Sequence, residues 1–303
     1  MGKIAVVGGT GHYGSKAIDG LLERGVSPSD IVVMYRNEKK ALPFKERGME
    51  IRYGDYGKEG YPEGIFKDIE KILFVSGFEM DGLKRIKDHI VVIEAARAAN
   101  VKQIVYTSFA NLYKINCGLE DVHIATERAI KASKIPYTFL RNTFYSEYYL
   151  NKVYLKRSID SGIFYTLAKG RGVNFVSRDD MAKAAAVVLT TEGHLNKAYD
   201  ITNPKPYTYK DIVEILKELT GKKVELVETT KEEYSAYLDS IHVPKQFQFI
   251  DAAMLQQRFV DGWGEICSPE LANLIGEENI TTPRQFIEKF DFNEPIDMST
   301  ISF

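Results

Sequence analysis

The amino-acid sequence predicts an α/β fold, a doubly wound parallel sheet with a smaller, mainly helical C-terminal lobe. Three observations lead there. Short β-rich apolar runs alternate with helix-period stretches, a glycine loop separates the first run from the first helical stripe, and the alternation gives way near Asn142 to aromatic, irregular segments.

The runs are KIAVVGG, DIVVMYR, MEIRYGD, KILFVSG, KQIVYTS and YTFLR. Between the first two, Ala17, Ile18, Leu21 and Leu22 form an apolar helical stripe that Gly25 stops. Between the fourth and fifth, Ile86, Ile90, Ile93 and Arg97 mark one helical face, with Asn100 as the C-terminal cap. Right-handed crossovers between such strands build a sheet whose ligand crevice lies at the strands' carboxyl ends. After TFYSEYYLNKVY and SGIFYT, a helix opens with Ser177 and Asp180 in the pattern of a capping box. The helix from Met181 to Leu189 and the run KAYDIT return to the first lobe, whereas YKDIVEILKELTG and the remaining C-terminal third read as helices without an obvious sheet. The expected organisation is residues 1–142 rejoined by 175–202 as one domain, and 143–174 with 203–303 as a smaller substrate-binding lobe.

With 303 residues, 44% hydrophobic and 27% charged, the chain can bury a sizeable core and fits neither disorder nor a disulfide scaffold. Lys plus Arg total 40 against 42 for Asp plus Glu, so there is no basic excess for direct contact with nucleic acid. Cys117 and Cys267 stand far apart without metal-ligand spacing and read as two thiols of a reducing compartment. The opening MGKIAVVGG has no signal-peptide apolar region, and Val6 stands where a myristoylation pattern requires Ser or Thr. Charges interrupt every apolar stretch well short of a membrane span. A cytoplasmic protein is expected.

The loop GGTGHYG spaces Gly8, Gly11 and Gly14 three apart, after a buried strand and before an amphipathic helix. Small residues there permit a tight turn, close approach of backbone N–H groups to a pyrophosphate, and close packing of helix on strand. The helix N-terminus favours the negative charge. The loop residues Thr10, His12 and Tyr13 join the glycines in this phosphate cradle, with His12 contributing its backbone N–H. The cradle predicts an NAD(P)-binding Rossmann domain, with a merely glycine-rich turn as the other reading. Past the second strand, where an acid would hold the ribose 2'-hydroxyl of NAD, the sequence reads MYRNEKK. Arg36 can take a 2'-phosphate bidentately and Lys39 or Lys40 can add charge, which favours NADPH; a solvated basic turn is the other reading. Asp55 is placed to receive the adenine amino group with Tyr56 alongside, or else forms an ordinary Gly-Asp turn. Ser76 and Gly77 end the fourth strand, where small residues admit the nicotinamide ribose.

GGTGHYG, YRNEKKA, YTSF, HIATERAI and LRNTFYSEYYL together resemble the NmrA-like group of atypical short-chain dehydrogenase/reductases, most closely its NAD(P)H:quinone oxidoreductase type 2 branch. The resemblance spans nearly the whole chain. It implies a Rossmann lobe that binds NADPH, a small C-terminal lobe closing over the substrate, and neither flavin nor metal. Standard members of the superfamily protonate a developing alkoxide with Ser, Tyr and Lys, the last two spaced YxxxK. Here Ser108 matches the Ser position, but His123 and Glu127 stand where Tyr and Lys would be. An alkoxide is about as basic as hydroxide, with a conjugate acid near ~15.7, so its formation calls for a positioned acid. A quinone accepting hydride becomes a phenolate of pKa ~10, which solvent can protonate. The departure therefore argues against a conventional carbonyl reductase and fits direct hydride transfer to a quinone or similar electrophile.

His123 is a proton donor by one reading and packs beneath the nicotinamide ribose by the other. Phe144, Tyr145, Tyr148 and Tyr149 form an aromatic cluster that either stacks a quinone ring or belongs to the core, with Asn142 and Glu147 as polar neighbours. His89, His194 and His242 read as ordinary surface or helix residues. The leading expectation is an NADPH-dependent quinone reductase. The competing one is a non-catalytic NADP(H) sensor, as the group's namesake regulator implies, acting through a protein partner and requiring unequal effects of NADP+ and NADPH. An isoflavone-reductase-like or epimerase activity is weaker, lacking its usual Lys or Tyr. A homodimer stays open.

Overall fold

The computed structural model describes residues 2–55, 57, 61–77, 79–114, 118 and 120–294; Tyr56 and Cys117 lie outside them. In chain order the elements are β1 (Lys3–Val7), α1 (His12–Glu23), β2 (Ile31–Tyr35), α2 (Glu38–Glu46), β3 (Glu50–Tyr53), β4 (Ile69–Phe74), α3 (Gly82–Ala98), β5 (Gln103–Phe109), α4 (Glu120–Ser133) and β6 (Tyr137–Asn142). There follow β7 (Phe144–Tyr145), α5 (Ser146–Tyr149), α6 (Lys152–Ser161), β8 (Ile163–Thr166), β9 (Phe175–Val176), α7 (Arg178–Thr190) and β10 (Lys197–Ile201). The remainder comprises α8 (Tyr209–Thr220), β11 (Glu225–Glu228), α9 (Lys231–Ser240), α10 (Lys245–Gln248), α11 (Ala252–Leu255), α12 (Glu270–Ile275) and α13 (Pro283–Ile287).

The chain divides into two compact units, Met1–Asn142 with Arg178–Ile201 and Glu270–Glu278, and Thr143–Ser177 with Thr202–Pro269 and Asn279–Phe303. The stretch Glu270–Glu278, which the sequence pattern left with the C-terminal lobe, belongs to the first unit: α12 packs on α7 and β10, and the Glu270 side chain accepts from the backbone N–H of Asp200.

The first unit is a seven-stranded sheet in the order β10-β6-β5-β4-β1-β2-β3, with every pairing parallel. A parallel sheet is covered on both faces, so its inner strands are apolar without alternation. Ile4 to Val7 and Ile31 to Val33 are accordingly fully buried. Helices α1 and α7 pack closely because position 20 has no side chain: a Cβ there would stand 3.0 Å from the Ala186 Cβ.

Two expectations are corrected. The buried face of α3 is His89, Val92, Ile93 and Ala96, while Ile90 is 42% exposed. The helix is thus rotated from the aliphatic stripe, because an internally hydrogen-bonded His89 takes a core position. The C-terminal third also contributes a strand, β11, pairing parallel with β8 in the second unit. At four residues it is too short for period-two alternation to stand out. Apart from these strand pairs the second unit is mainly helical, and no described helix is long and apolar enough to cross a membrane.

Substituting Gly20→Leu should force α1 away from α7 and lower unfolding stability by about 1–3 kcal/mol, read by chemical denaturation.

Candidate active site

Beyond β1 the chain turns on two short bonds, Gly9 N–H to Val6 O at 3.2 Å and Gly11 N–H to Gly8 O at 3.0 Å. Gly11 then caps α1, whose first turn carries no acid, leaving the positive end of the helix dipole uncompensated by a carboxylate. A Cβ on Gly14 would sit 2.3 Å from Gly8 O, so only glycine lets helix and loop meet. Tyr13 is buried and donates its hydroxyl to Met181 O at 2.9 Å, which ties α1 to α7. Thr10 is half-buried and His12 exposed. The His12 imidazole is held below its ordinary value by partial burial and by the charges of Arg178, Lys40 and Lys16. Cations from α7, α2 and α1 thus focus positive potential on the loop, which suits a pyrophosphate.

Arg36 follows β2, is exposed, and forms no ion pair or hydrogen bond among the described residues; Lys39 and Lys40 are exposed beside it. Its guanidinium is open to a phosphate. Asp55 accepts from Gly57 N–H at 3.1 Å, closing an Asx turn. The nearby Asp88 carboxyl is pushed up by burial, against the pull of Lys84.

At the carboxyl ends of β4 and β5 lies a continuous polar cluster. Ser76 N–H donates to Thr107 Oγ1 at 2.8 Å, and Ser76 Oγ accepts from Arg85 Nη2 at 2.6 Å and from the Tyr106 hydroxyl at 3.4 Å. The Tyr106 hydroxyl also lies 2.9 Å from His123 Nδ1. Gly77 N–H donates to His89 Nε2 at 3.3 Å, and His89 Nδ1 lies 2.8 Å from Thr126 Oγ1. Because Thr126 gives its own proton to Val122 O at 2.7 Å, His89 must donate from Nδ1. Both ring nitrogens are then satisfied in the neutral tautomer. Of the two readings of His89, surface or helix residue, the second holds: it lies on α3 and is wholly buried.

Burial, followed by the charge of Arg85, lowers His89 to about 3. Burial again dominates at His123, held well below its ordinary value, with Arg85 and His89 adding to the effect. Burial also pushes the Tyr106 phenol up to about 12. At neutral pH the cluster therefore contains two neutral imidazoles, a neutral phenol and one cation, Arg85.

Ser108 is committed elsewhere. Its hydroxyl donates to Glu127 Oε1 at 2.7 Å, while Arg141 grips the same carboxylate through Nε at 2.9 Å and Nη2 at 2.8 Å. Glu127 is fully buried, and its hydrogen bond holds Arg141 above its ordinary value despite partial burial. This triad offsets the desolvation of a buried carboxylate with three hydrogen bonds. Asn142, ending β6, is 1% exposed, yet neither Nδ2 nor Oδ1 finds a partner among the described residues.

Within the second unit, Phe144 is buried against Phe259 and Tyr149, with ring centroids 4.7 and 5.6 Å apart, so its ring is core. Tyr145 and Tyr148 are half-buried and stack at 5.9 Å, and Glu147 lies between them in sequence. Sequence reasoning brought Ser76, Gly77 and His123 into one unit but missed Arg85, Tyr106 and His89. Arg85 was hidden on a helix where Lys and Arg are commonplace, and Tyr106 looked like any strand aromatic. Among the described residues no group of three or more His, Cys, Asp or Glu side chains is arranged to hold a metal.

Residues 1–259 match the NmrA-like family. The chain is 34% identical over 241 residues to quinone oxidoreductase 2 of Escherichia coli strain K12, covering 80% of this chain and 82% of that protein. It resembles the crystal structure of Citrobacter sp. triphenylmethane reductase complexed with NADP(H), with a TM-score of 0.89 and 37% identity over 95% of this chain and 99% of the other. It also resembles the Escherichia coli NADPH-dependent quinone oxidoreductase complexed with NADPH, with a TM-score of 0.85 and 33% identity over 94% of this chain and 99% of the other.

The histidine burial carries a pH signature. Below pH 6.5 the unfolded chain protonates His89 while the folded one resists until about pH 3, so stability should fall with falling pH across that window. Each such histidine contributes a slope of up to about 1.4 kcal/mol per pH unit. Denaturation curves of His89→Gln between neutral pH and pH 4 should show a slope shallower by about that amount, with a loss of roughly 1 kcal/mol at pH 7 from the removed hydrogen bonds.

Proposed function

Because the chain belongs to the NmrA-like family, we propose that it is an oxidoreductase that uses NADPH to pass a hydride directly to a quinone or a similar electrophilic acceptor, with no flavin or metal between them. The carrying observation is the burial and hydrogen bonding of the cluster at the ends of β4 and β5. It holds a neutral His123 and a fully buried, neutral Tyr106, while the Ser108 proton is given to Glu127. Nothing in it acts as a strong acid at neutral pH. Such a site suits an acceptor whose reduced form is a phenolate, pKa ~10, better than one that must become an alkoxide. The acceptors named for two relatives, a quinone and triphenylmethane dyes, are conjugated electrophiles, and neither becomes an alkoxide on taking a hydride.

The residues fit the cofactor. The loop of Gly8, Gly11 and Gly14 closes tightly on the start of α1, since a Cβ on Gly14 would stand 2.3 Å from Gly8 O, so that Thr10, His12 and Tyr13 meet the diphosphate at the helix N-terminus, and Arg36 with Lys39 or Lys40 takes the 2'-phosphate. Asp55 receives the adenine amino group, and Ser76 with Gly77 borders the nicotinamide ribose. Bound there, the reduced nicotinamide supplies the hydride. His123, kept neutral, buttresses Tyr106 and through it Ser76, rather than delivering a proton. Asn142, with an unspent donor and acceptor, holds a carbonyl or hydroxyl of the acceptor.

An acceptor screen under NADPH consumption tests the reading with benzoquinone, naphthoquinone and other electrophiles. Arg36→Ala should raise KM for NADPH about 10- to 100-fold, the worth of a charge-assisted contact, and leave KM for NADH unchanged. Ser108→Ala should retain turnover within a few fold, whereas loss of a transition-state donor costs roughly 100- to 1000-fold. Absence of turnover with every acceptor, with NADP+ and NADPH both bound, would replace the enzyme by the sensor.

A further inference from the structure

Arg85 stands in the first turn of α3, at the end of the helix where the dipole disfavours a cation. Its Nε is buried without a partner, and among the described residues its guanidinium makes one hydrogen bond, to Ser76 Oγ, and no ion pair with a carboxylate. The neighbouring acids are otherwise engaged: Lys84 pairs with both Glu79 and Asp88, and Asp81 caps the helix by accepting from Lys84 N–H. A guanidinium carries five N–H donors, so most of its capacity is unspent. A partly desolvated, unpaired cation is costly to keep. The cost falls at the carboxyl ends of β4 and β5, where an open parallel sheet binds its ligand.

We propose that Arg85 is a catalytic residue of the oxidoreductase reading above, on which this inference rests: its guanidinium receives the negative charge that develops on the acceptor oxygen during hydride transfer. The electron count assigns this role. NADPH gives up a hydride, two electrons and one hydrogen, and becomes NADP+. A neutral quinone that takes it becomes the hydroquinone monoanion, and solvent provides the second hydrogen as a proton. No general acid is needed if a fixed cation meets the oxygen as charge builds, in surroundings that exclude water and strengthen the interaction. The neutral histidines and phenol fit this division of labour, because they leave Arg85 as the cluster's one charge. Arg85 is held by Ser76 on one side, so it is oriented before the acceptor arrives.

The role makes the enzyme sensitive to the charge change in the acceptor. A triphenylmethane cation such as malachite green takes the same hydride and becomes neutral; no anion forms, and a nearby guanidinium gives it no help. Arg85→Gln should therefore lower kcat for naphthoquinone about 100-fold. The same variant should slow malachite green reduction far less than it slows naphthoquinone reduction, or speed it. Across a quinone series the deficit should grow with the basicity of the product phenolate. Arg85→Lys, which retains the charge without the fork, should recover part of the quinone rate. Equal losses with both acceptors would make Arg85 merely structural and overturn the role, as would equal rates with both. Should Arg85→Gln fail to fold, Arg85→Lys must still lose more with naphthoquinone than with malachite green, and no difference overturns the role. Wild-type protein that reduces malachite green but no quinone removes the quinone reading and this role with it, yet leaves an oxidoreductase. Wild-type protein that reduces neither removes the oxidoreductase reading as well.

Discussion

Helix α1 approaches its surroundings more closely than any side chain would allow. At Gly14 its backbone meets the carbonyl of Gly8, and at Gly20 it meets α7 near Ala186. These contacts set the height of the helix above the sheet and thereby aim its N-terminus at the loop after β1. The anchoring hydroxyl of Tyr13 on Met181 works in the same direction, and Arg178 at the head of α7 adds its charge to the same place. The positive potential at this loop is thus a consequence of packing: backbone dipoles and cations converge because nothing bulky holds the elements apart.

A second consequence of close packing is chemical. Parallel strands are covered on both faces, so polar side chains at their carboxyl ends are desolvated as well. His89, His123 and Tyr106 respond by staying neutral, Tyr106 bonding to His123 and Ser76, and His89 to Gly77 and Thr126. The buried carboxylate of Glu127 takes the other solution and remains charged under the grip of Arg141 and Ser108. Two adjacent parts of one helix thereby serve different ends, one withholding protons from the strand ends and the other bracing β5 against β6.

Much of the first unit was legible. Apolar runs without alternation placed the parallel strands, and the glycine spacing located the loop. Legibility failed where a polar residue occupied a core position or an apolar one did not. Ile90 looked like part of the buried stripe of α3 and His89 did not, because a side chain's place inside depends on partners such as Gly77 N–H and Thr126 that lie on other elements. The site shows the same limit. Ser108 occupied the position expected of a catalytic serine, but its fate depends on Glu127, nineteen residues away and brought within 2.7 Å by the fold. Phe144 and Tyr145 are neighbours in the chain, yet one is core and the other half-buried.

By itself the sequence determined the class of fold, the glycine spacing after the first strand, the basic turn at Arg36 and the placing of His123 and Glu127 four apart, because each is a property of local order along the chain: a period, a spacing, a residue type. The tertiary structure decided which polar groups hold protons and which cation stands unpaired. Burial and charge act through space, and only folding brings Arg85, Ser76, Tyr106 and His123 within reach of one another.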